Sequence, residues 1–163
     1  MSERASTTPS PTEATRATGP MSGRCLCGAV QIELDPPTDY FGICHCRSCR
    51  LSHGAPCVAW TSVPLAQLRF RAGEDRVRWY RSSPLIRWGF CGECGSHLLY
   101  RADGEGHPES PRVGHVYVSA ACLEPPLDRE LEGHVSFEEK LPWFPVDDAL
   151  PRYRGKGLEE LDG

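Results

Sequence analysis

Three short cysteine groups constrain this chain more tightly than any other feature: Cys25-Leu26-Cys27, Cys44-His45-Cys46-Arg47-Ser48-Cys49 and Cys91-Gly92-Glu93-Cys94. Together they hold seven of the nine cysteines in 163 residues. Thiolates bind zinc at about 2.3 Å in a tetrahedron, so the sulfurs must converge to about 3.8 Å, which a tight C-x-x-C turn achieves without long loops. Gly28 and Gly95 directly follow two of the groups, where a residue that takes positive φ freely completes such a turn. Cys25, Cys27, Cys91 and Cys94 sum to four thiolates, a closed structural zinc site that staples the start of the domain to its middle. Cys44, Cys46 and Cys49 are one ligand short. Either the fourth position stays open, as a catalytic zinc keeps it, or His45, His53 or Cys57 completes a second structural site.

Two other uses of cysteine fit less well. A redox C-x-x-C normally opens a helix in a βαβ setting, whereas Cys94 is followed by Gly95-Ser96-His97 and a strand-like run. Disulfide pairing fits an odd count of nine poorly. The first twenty residues also lack the apolar stretch of an export signal, so the expectation is reduced thiols in a cytoplasmic protein.

A hydrophobic content of 39% supplies a core for one domain of this length. The Ser-, Thr-, Pro- and Ala-rich stretch 1–21 is expected to be a disordered leader, 22–153 the domain, and 154–163 a short flexible tail. A net charge of −4 excludes a broad basic surface for nucleic acid, and no apolar run has the length of a membrane span. The 16 glycines and 15 prolines interrupt the chain too often for long helices. Period-two segments recur instead, at 29–34, 57–61, 68–71, 77–80, 86–90, 98–101, 116–119 and 131–137, separated by turn-forming pieces such as Asp35-Pro36-Pro37. The pattern is antiparallel and all-β, with one helical turn expected at 64–68.

The residues Gly23-Arg24-Cys25-Leu26-Cys27-Gly28-Ala29-Val30, Cys44-His45-Cys46-Arg47-Ser48-Cys49-Arg50 with Gly54 behind it, and Phe90-Cys91-Gly92-Glu93-Cys94-Gly95-Ser96 stand in an order that resembles the glutathione-dependent formaldehyde-activating enzymes and their centromere protein V relatives. Val116-Tyr117-Val118-Ser119 and Lys140-Leu141-Pro142-Trp143 look like that family's later strands. The resemblance implies several coiled antiparallel sheets around a structural zinc on the first and third groups, and a second zinc on the middle group, two Zn2+ per chain. It implies carbon–sulfur lyase chemistry, the reversible addition of a thiol to a small aldehyde, with those two molecules as partners. Cys57 departs from the family pattern.

A zinc held by three thiolates carries a net charge of −1 and is a weak Lewis acid, so the chemistry expected is holding an incoming thiol as thiolate rather than hydrolysis. The aldehyde oxygen then needs a proton donor or acceptor, and His53 is the favoured candidate, since His45 lies between two ligands and is expected to point away. Arg47 and Arg50 flank the trio and either hold a substrate carboxylate or neutralise the thiolates. Trp60, Trp79, Trp88 and Trp143 are expected in the core more than in a pocket, and Cys122 as a small buried hydrophobe. His107 is expected in a solvated loop. The competing function is a non-catalytic zinc-binding module for a protein partner. Chromatin binding by analogy with centromere protein V is disfavoured by the missing basic patch.

Overall fold

A computed structural model describes residues 16–103, 114–156 and 159–161. His107 and most of the expected leader lie outside these residues. The chain is mostly β, as the alternation predicts. Among the described residues, twelve strands run in the order β1 (Met21–Arg24), β2 (Gln31–Leu34), β3 (Tyr40–Cys44), β4 (Val58–Pro64), β5 (Leu68–Ala72), β6 (Val77–Arg81), β7 (Ile86–Cys91), β8 (His97–Ala102), β9 (His115–Ser119), β10 (His134–Val135), β11 (Tyr153–Arg154) and β12 (Glu159–Glu160), with one helix, α1 (Arg47–His53), between β3 and β4. Seven form a sheet in the order β10-β3-β4-β9-β8-β7-β6, three form a sheet β1-β2-β5, and β11 pairs with β12. All pairings are antiparallel except β10 on β3. The turn expected at 64–68 is a 3-10 turn over Leu65–Gln67.

The seven-stranded sheet has two apolar faces, which its register assigns residue by residue. Directly opposed residues share a face, so Thr61, Val118, Leu99, Gly89 and Trp79 form one row across β4, β9, β8, β7 and β6. This face packs with Ile32 and Leu34 of the small sheet, Val63, Val116 and Cys91 into one core. The next row, on the opposite face, is Tyr40, Ser62, Tyr117, Tyr100 and Trp88. It belongs to a second core with Trp60, Ile86, Val135 and the three cysteines of the middle group. Each cysteine cluster thus lies in a different core.

Several elements differ from the sequence reading for identifiable reasons. Strand β10 covers two residues rather than 131–137, because Ser136 takes a left-handed backbone (φ 51°) and begins a 3-10 turn at Phe137–Glu139. Lys140 to Trp143 is a turn rather than a strand, and Trp143 is exposed. The helix α1 has no counterpart in the sequence reading; Cys46 caps it by accepting the Cys49 N–H on its sulfur at 3.4 Å. At the start, Ala17 N donates to Leu127 O at 3.1 Å and packs on the first core, and Met21 already belongs to β1.

The two-face arrangement predicts opposite outcomes for two buried sites. Leu99, 1% exposed between the sheets, should cost about 3 kcal/mol when cut to alanine. Ser62 is fully buried with a hydroxyl that bonds nothing, so Ser62→Ala should change stability by less than about 0.5 kcal/mol in urea denaturation.

Candidate metal centres and the adjoining cavity

Two short turns bring the first and third cysteine groups together although 64 positions separate Cys27 from Cys91. In the first, Gly28 N donates to Cys25 O at 3.0 Å; in the second, Gly95 N donates to Cys91 O at 2.9 Å. Gly28 (φ 78°) and Gly95 (φ 76°) adopt the left-handed conformation expected of them. The Cys25 and Cys27 sulfurs lie 3.5 Å apart and those of Cys27 and Cys91 3.9 Å apart. All four sulfurs, with Cys94, fall within 4.8 Å of one another. This matches the about 3.8 Å edge of a tetrahedral zinc–thiolate site, so the group can hold a metal ion. The Val30 N–H donates to the Cys25 sulfur at 3.2 Å. Ser96 ties the two turns, accepting Leu26 N–H on its hydroxyl oxygen at 3.0 Å and meeting the Cys94 sulfur at 3.2 Å, which holds that thiol down to about 5.

The middle group is built differently. Cys44 ends β3, Cys46 caps α1, and Cys49 lies one turn inside the helix, so three sulfurs converge within 4.8 Å from a stretch of six residues. All three residues are buried. Mutual hydrogen bonding divides the charge unequally: bonds from Cys44 and Cys49 push the Cys46 thiol far below its ordinary value, while the bond to Cys46 raises Cys44 to about 11. Lys156 Nζ sits 3.8 Å from the Cys46 sulfur. Lys156 favours the thiolate form of Cys46, and the three crowded sulfurs can hold a metal ion. Cys57 is not part of the cluster; its half-buried thiol is pushed up by burial alone.

A hydrogen-bonded chain braces the trio from behind. His45, buried completely between two of its cysteines, meets His134 of β10 at 2.9 Å, Nε2 to Nδ1. His134 Nε2 meets both Asp148 carboxylate oxygens at 3.1 and 3.0 Å. Burial works against the Asp148 charge, but the Leu150 N–H and His134 outweigh it and keep the carboxyl below its usual range. A carboxylate only accepts, so His134 donates to it from Nε2 and meets His45 through Nδ1. Burial pushes His45 down to about 4 and keeps it neutral. His45 thus bonds to His134 and is not part of the sulfur cluster.

A cavity of about 320 Å3 opens against the trio. Cys44, Cys46 and Cys49 form one wall, and Tyr40, Trp60, Trp88, Tyr100 and Tyr117 supply aromatic lining. Arg47, Ser136, Glu139 and Lys156 add polar groups. Trp60 and Trp88 therefore serve both core and cavity, whereas Trp79 lies on the other face, 38% exposed, and lines a separate hollow. Of the two arginines singled out from sequence, Arg47 reaches the cavity. Arg50 instead donates from Nε to His45 O at 2.9 Å and braces the turn between Cys44 and Cys46. His53 does not line the cavity; it packs edge-on against Trp60, bonds Ser52 Oγ at 2.9 Å, and burial lowers it to about 4. Cys122 is half-buried, its thiol 3.6 Å from His97 O.

Several cavity residues escaped the sequence reading, among them Tyr40, Tyr100, Glu139 and Lys156. Lys156 sits in the expected tail, brought back because Gly155 N donates to the Glu138 carboxylate and Gly155 O accepts from Ser136. No local signal announces that return. Tyr40 was legible in principle, since Tyr40, Gly42 and Cys44 alternate onto one face of β3. A side chain at Gly42 would place its Cβ 2.3 Å from the Tyr40 hydroxyl, so the glycine leaves the ring room to lie along the strand.

A β-sheet protein with a four-thiolate cluster in one core and a three-thiolate cluster open to a cavity in the other is the class these features define. The sequence profile of the glutathione-dependent formaldehyde-activating enzymes matches residues 20–135, and the chain belongs to that family. A Podospora anserina (strain S) protein that carries the family's name is 27% identical over 145 residues, 85% of this chain and 66% of its own length. A crystal structure of a Rhodobacter sphaeroides protein superposes with a TM-score of 0.50 at 26% identity, covering 64% of this chain and 88% of that one.

The two clusters should respond differently to loss of a sulfur. Cys91→Ser should abolish soluble folding, because the first cluster closes a long loop and its metal binding is coupled to folding. Cys46→Ser should leave a folded protein that has lost only the metal-binding capacity of the trio. Circular dichroism with metal analysis decides, and equal unfolding of both would erase the distinction.

Proposed function

We propose that this protein is a cytoplasmic zinc-dependent carbon–sulfur lyase that catalyses the reversible addition of a thiol, glutathione or one like it, to a small aldehyde. Cys25, Cys27, Cys91 and Cys94 hold a structural zinc and Cys44, Cys46 and Cys49 a second one, two per chain. The observation that carries the reading is the three-sulfur cluster in the wall of the cavity, with Cys57 outside it. Membership of a family named for glutathione-dependent formaldehyde activation supports it. Zinc bound to the trio would keep an incoming thiol deprotonated near neutral pH.

Solvent carries the protons, and the chain's own groups stabilise the charge and orient the reactants. The thiol loses its proton to solvent, its sulfur lone pair forms the bond to the carbonyl carbon, and the C=O π pair moves to oxygen, which takes a proton back from water. The sum is RSH + R′CHO ⇌ RS–CH(OH)R′, with no change of oxidation state. Tyr40 lines the cavity, and burial, reinforced by the nearby Cys44 charge, pushes its phenol above the ordinary value. It stays protonated and donates a hydrogen bond to the oxygen as charge builds there. This is the role His53 was expected to fill. Arg47 and Lys156 are cations placed for a carboxylate of the thiol, and Glu139 is an anion placed for an ammonium group.

Exchange NMR of thiol and aldehyde against their adduct tests the reading: the zinc-loaded protein should accelerate exchange, and an unchanged rate would overturn it. Tyr40→Phe should lower kcat by about 100-fold while leaving KM for the thiol within a factor of two. Cys57→Ala should keep both zincs and nearly full rate.

A further inference from the structure

Five adjacent strands each contribute to one aromatic surface. Across β3, β4, β9, β8 and β7 the opposed row reads Tyr40, Ser62, Tyr117, Tyr100 and Trp88, with Trp60 one step along β4. Successive rings meet edge-on: Tyr40 and Tyr117 at 6.2 Å, Tyr117 and Tyr100 at 5.5 Å, Tyr100 and Trp88 at 4.9 Å between centroids. Ser62, the small member of the row, lies between the Tyr40 and Tyr117 positions and lets those two rings meet. The surface is continuous, and it lines the same cavity as the thiolates.

Formaldehyde has two heavy atoms and can cover little of this surface. A cavity of about 320 Å3 with aromatic lining falls in the range of sites that bury most of an organic ligand. Its charged groups, Arg47, Glu139 and Lys156, match the charges of a peptide-like thiol rather than those of an aldehyde. The aromatic surface is left for the carbon body carried by the aldehyde.

We infer that the site selects aldehydes bearing a flat apolar body, of the arylacetaldehyde class, over formaldehyde. This rests on the thiol–aldehyde reading above and names its substrate class. The new carbon–sulfur bond holds the carbonyl carbon at the trio, and the ring attached to it lies against Tyr100 and Tyr117. Packing of ring on ring lowers KM, because stacking and edge contacts add to the burial of apolar area.

Binding and turnover separate the inference from the reading beneath it. In a tryptophan-fluorescence titration of the zinc-loaded protein, the unreactive probe 2-phenylethanol should bind at least about tenfold more tightly than ethanol. Tyr100→Ser should lose that preference, and Tyr117→Ser should do so independently if the first variant fails to fold. Trp79→Ala, on the opposite face, should retain it. Equal binding of the two alcohols, or loss of the preference in Trp79→Ala alone, would overturn the inference. In exchange NMR with 2-mercaptoethanol as thiol, phenylacetaldehyde should show a KM at least about tenfold below that of formaldehyde. Formaldehyde paired with benzyl mercaptan is the contrasting arm: a low KM there, with none for phenylacetaldehyde, would move the apolar body to the thiol and overturn the assignment to the aldehyde. Acceleration without any aryl preference sinks the inference and leaves the lyase reading intact. Tight 2-phenylethanol binding without acceleration supports the aryl site and sinks the lyase reading.

Discussion

Four sulfurs crowded into a space a single ion would fill make the constraint on which the rest of the structure depends. Cys25 and Cys27 leave β1 while Cys91 and Cys94 follow from β7, so their convergence joins the three-stranded sheet to the seven-stranded one. The core between those sheets forms around Cys25 and Cys91, both almost wholly buried. Small domains rich in loops have little apolar area with which to offset chain entropy, and a metal cross-link between distant segments supplies what the core alone does not.

The second cluster depends on the first only through the sheet. Its sulfurs come from one strand end and one short helix, so the local chain suffices to gather them. What the sheet adds is the surroundings: an aromatic row opposite the sulfurs, and β10 laid parallel on β3 so that His134 reaches His45. The chain from Asp148 through His134 fixes the His45 ring between Cys44 and Cys46. Arg50 grips the carbonyl of the same residue. The trio is thus held from its far side by buried polar bonds, leaving the cavity side to sulfur and aromatic carbon.

Charge at the cavity follows from the same division. Arg47 comes from α1 and Glu139 from the turn after β10, and the Arg47 N–H donates to the Glu139 carboxylate at 2.8 Å, so helix and turn are tied across the opening. Lys156 comes from the segment after β11. Three separate stretches therefore meet at one mouth, and Lys156 among them offsets the negative charge that gathers on Cys46.

The cysteine groups and the alternating strands were legible in the sequence because each rests on local geometry: ligand spacing within a turn, positive φ at Gly28 and Gly95, and the period-two exposure of a pleated strand. The position of His53 was not, because distance along the chain from Cys49 says nothing about which side of Trp60 the helix presents. Tyr40 could have been found from its alternation with Gly42 and Cys44. Lys156 and His134 could not, since they reach the trio only through long-range contacts with Glu138, Ser136 and His45 that no spacing in the sequence encodes. The cysteine pairs and the trio are thus determined by neighbours in sequence, whereas the groups that surround the cavity were decided by tertiary packing, because a hydrogen bond or a ring contact needs only proximity in space.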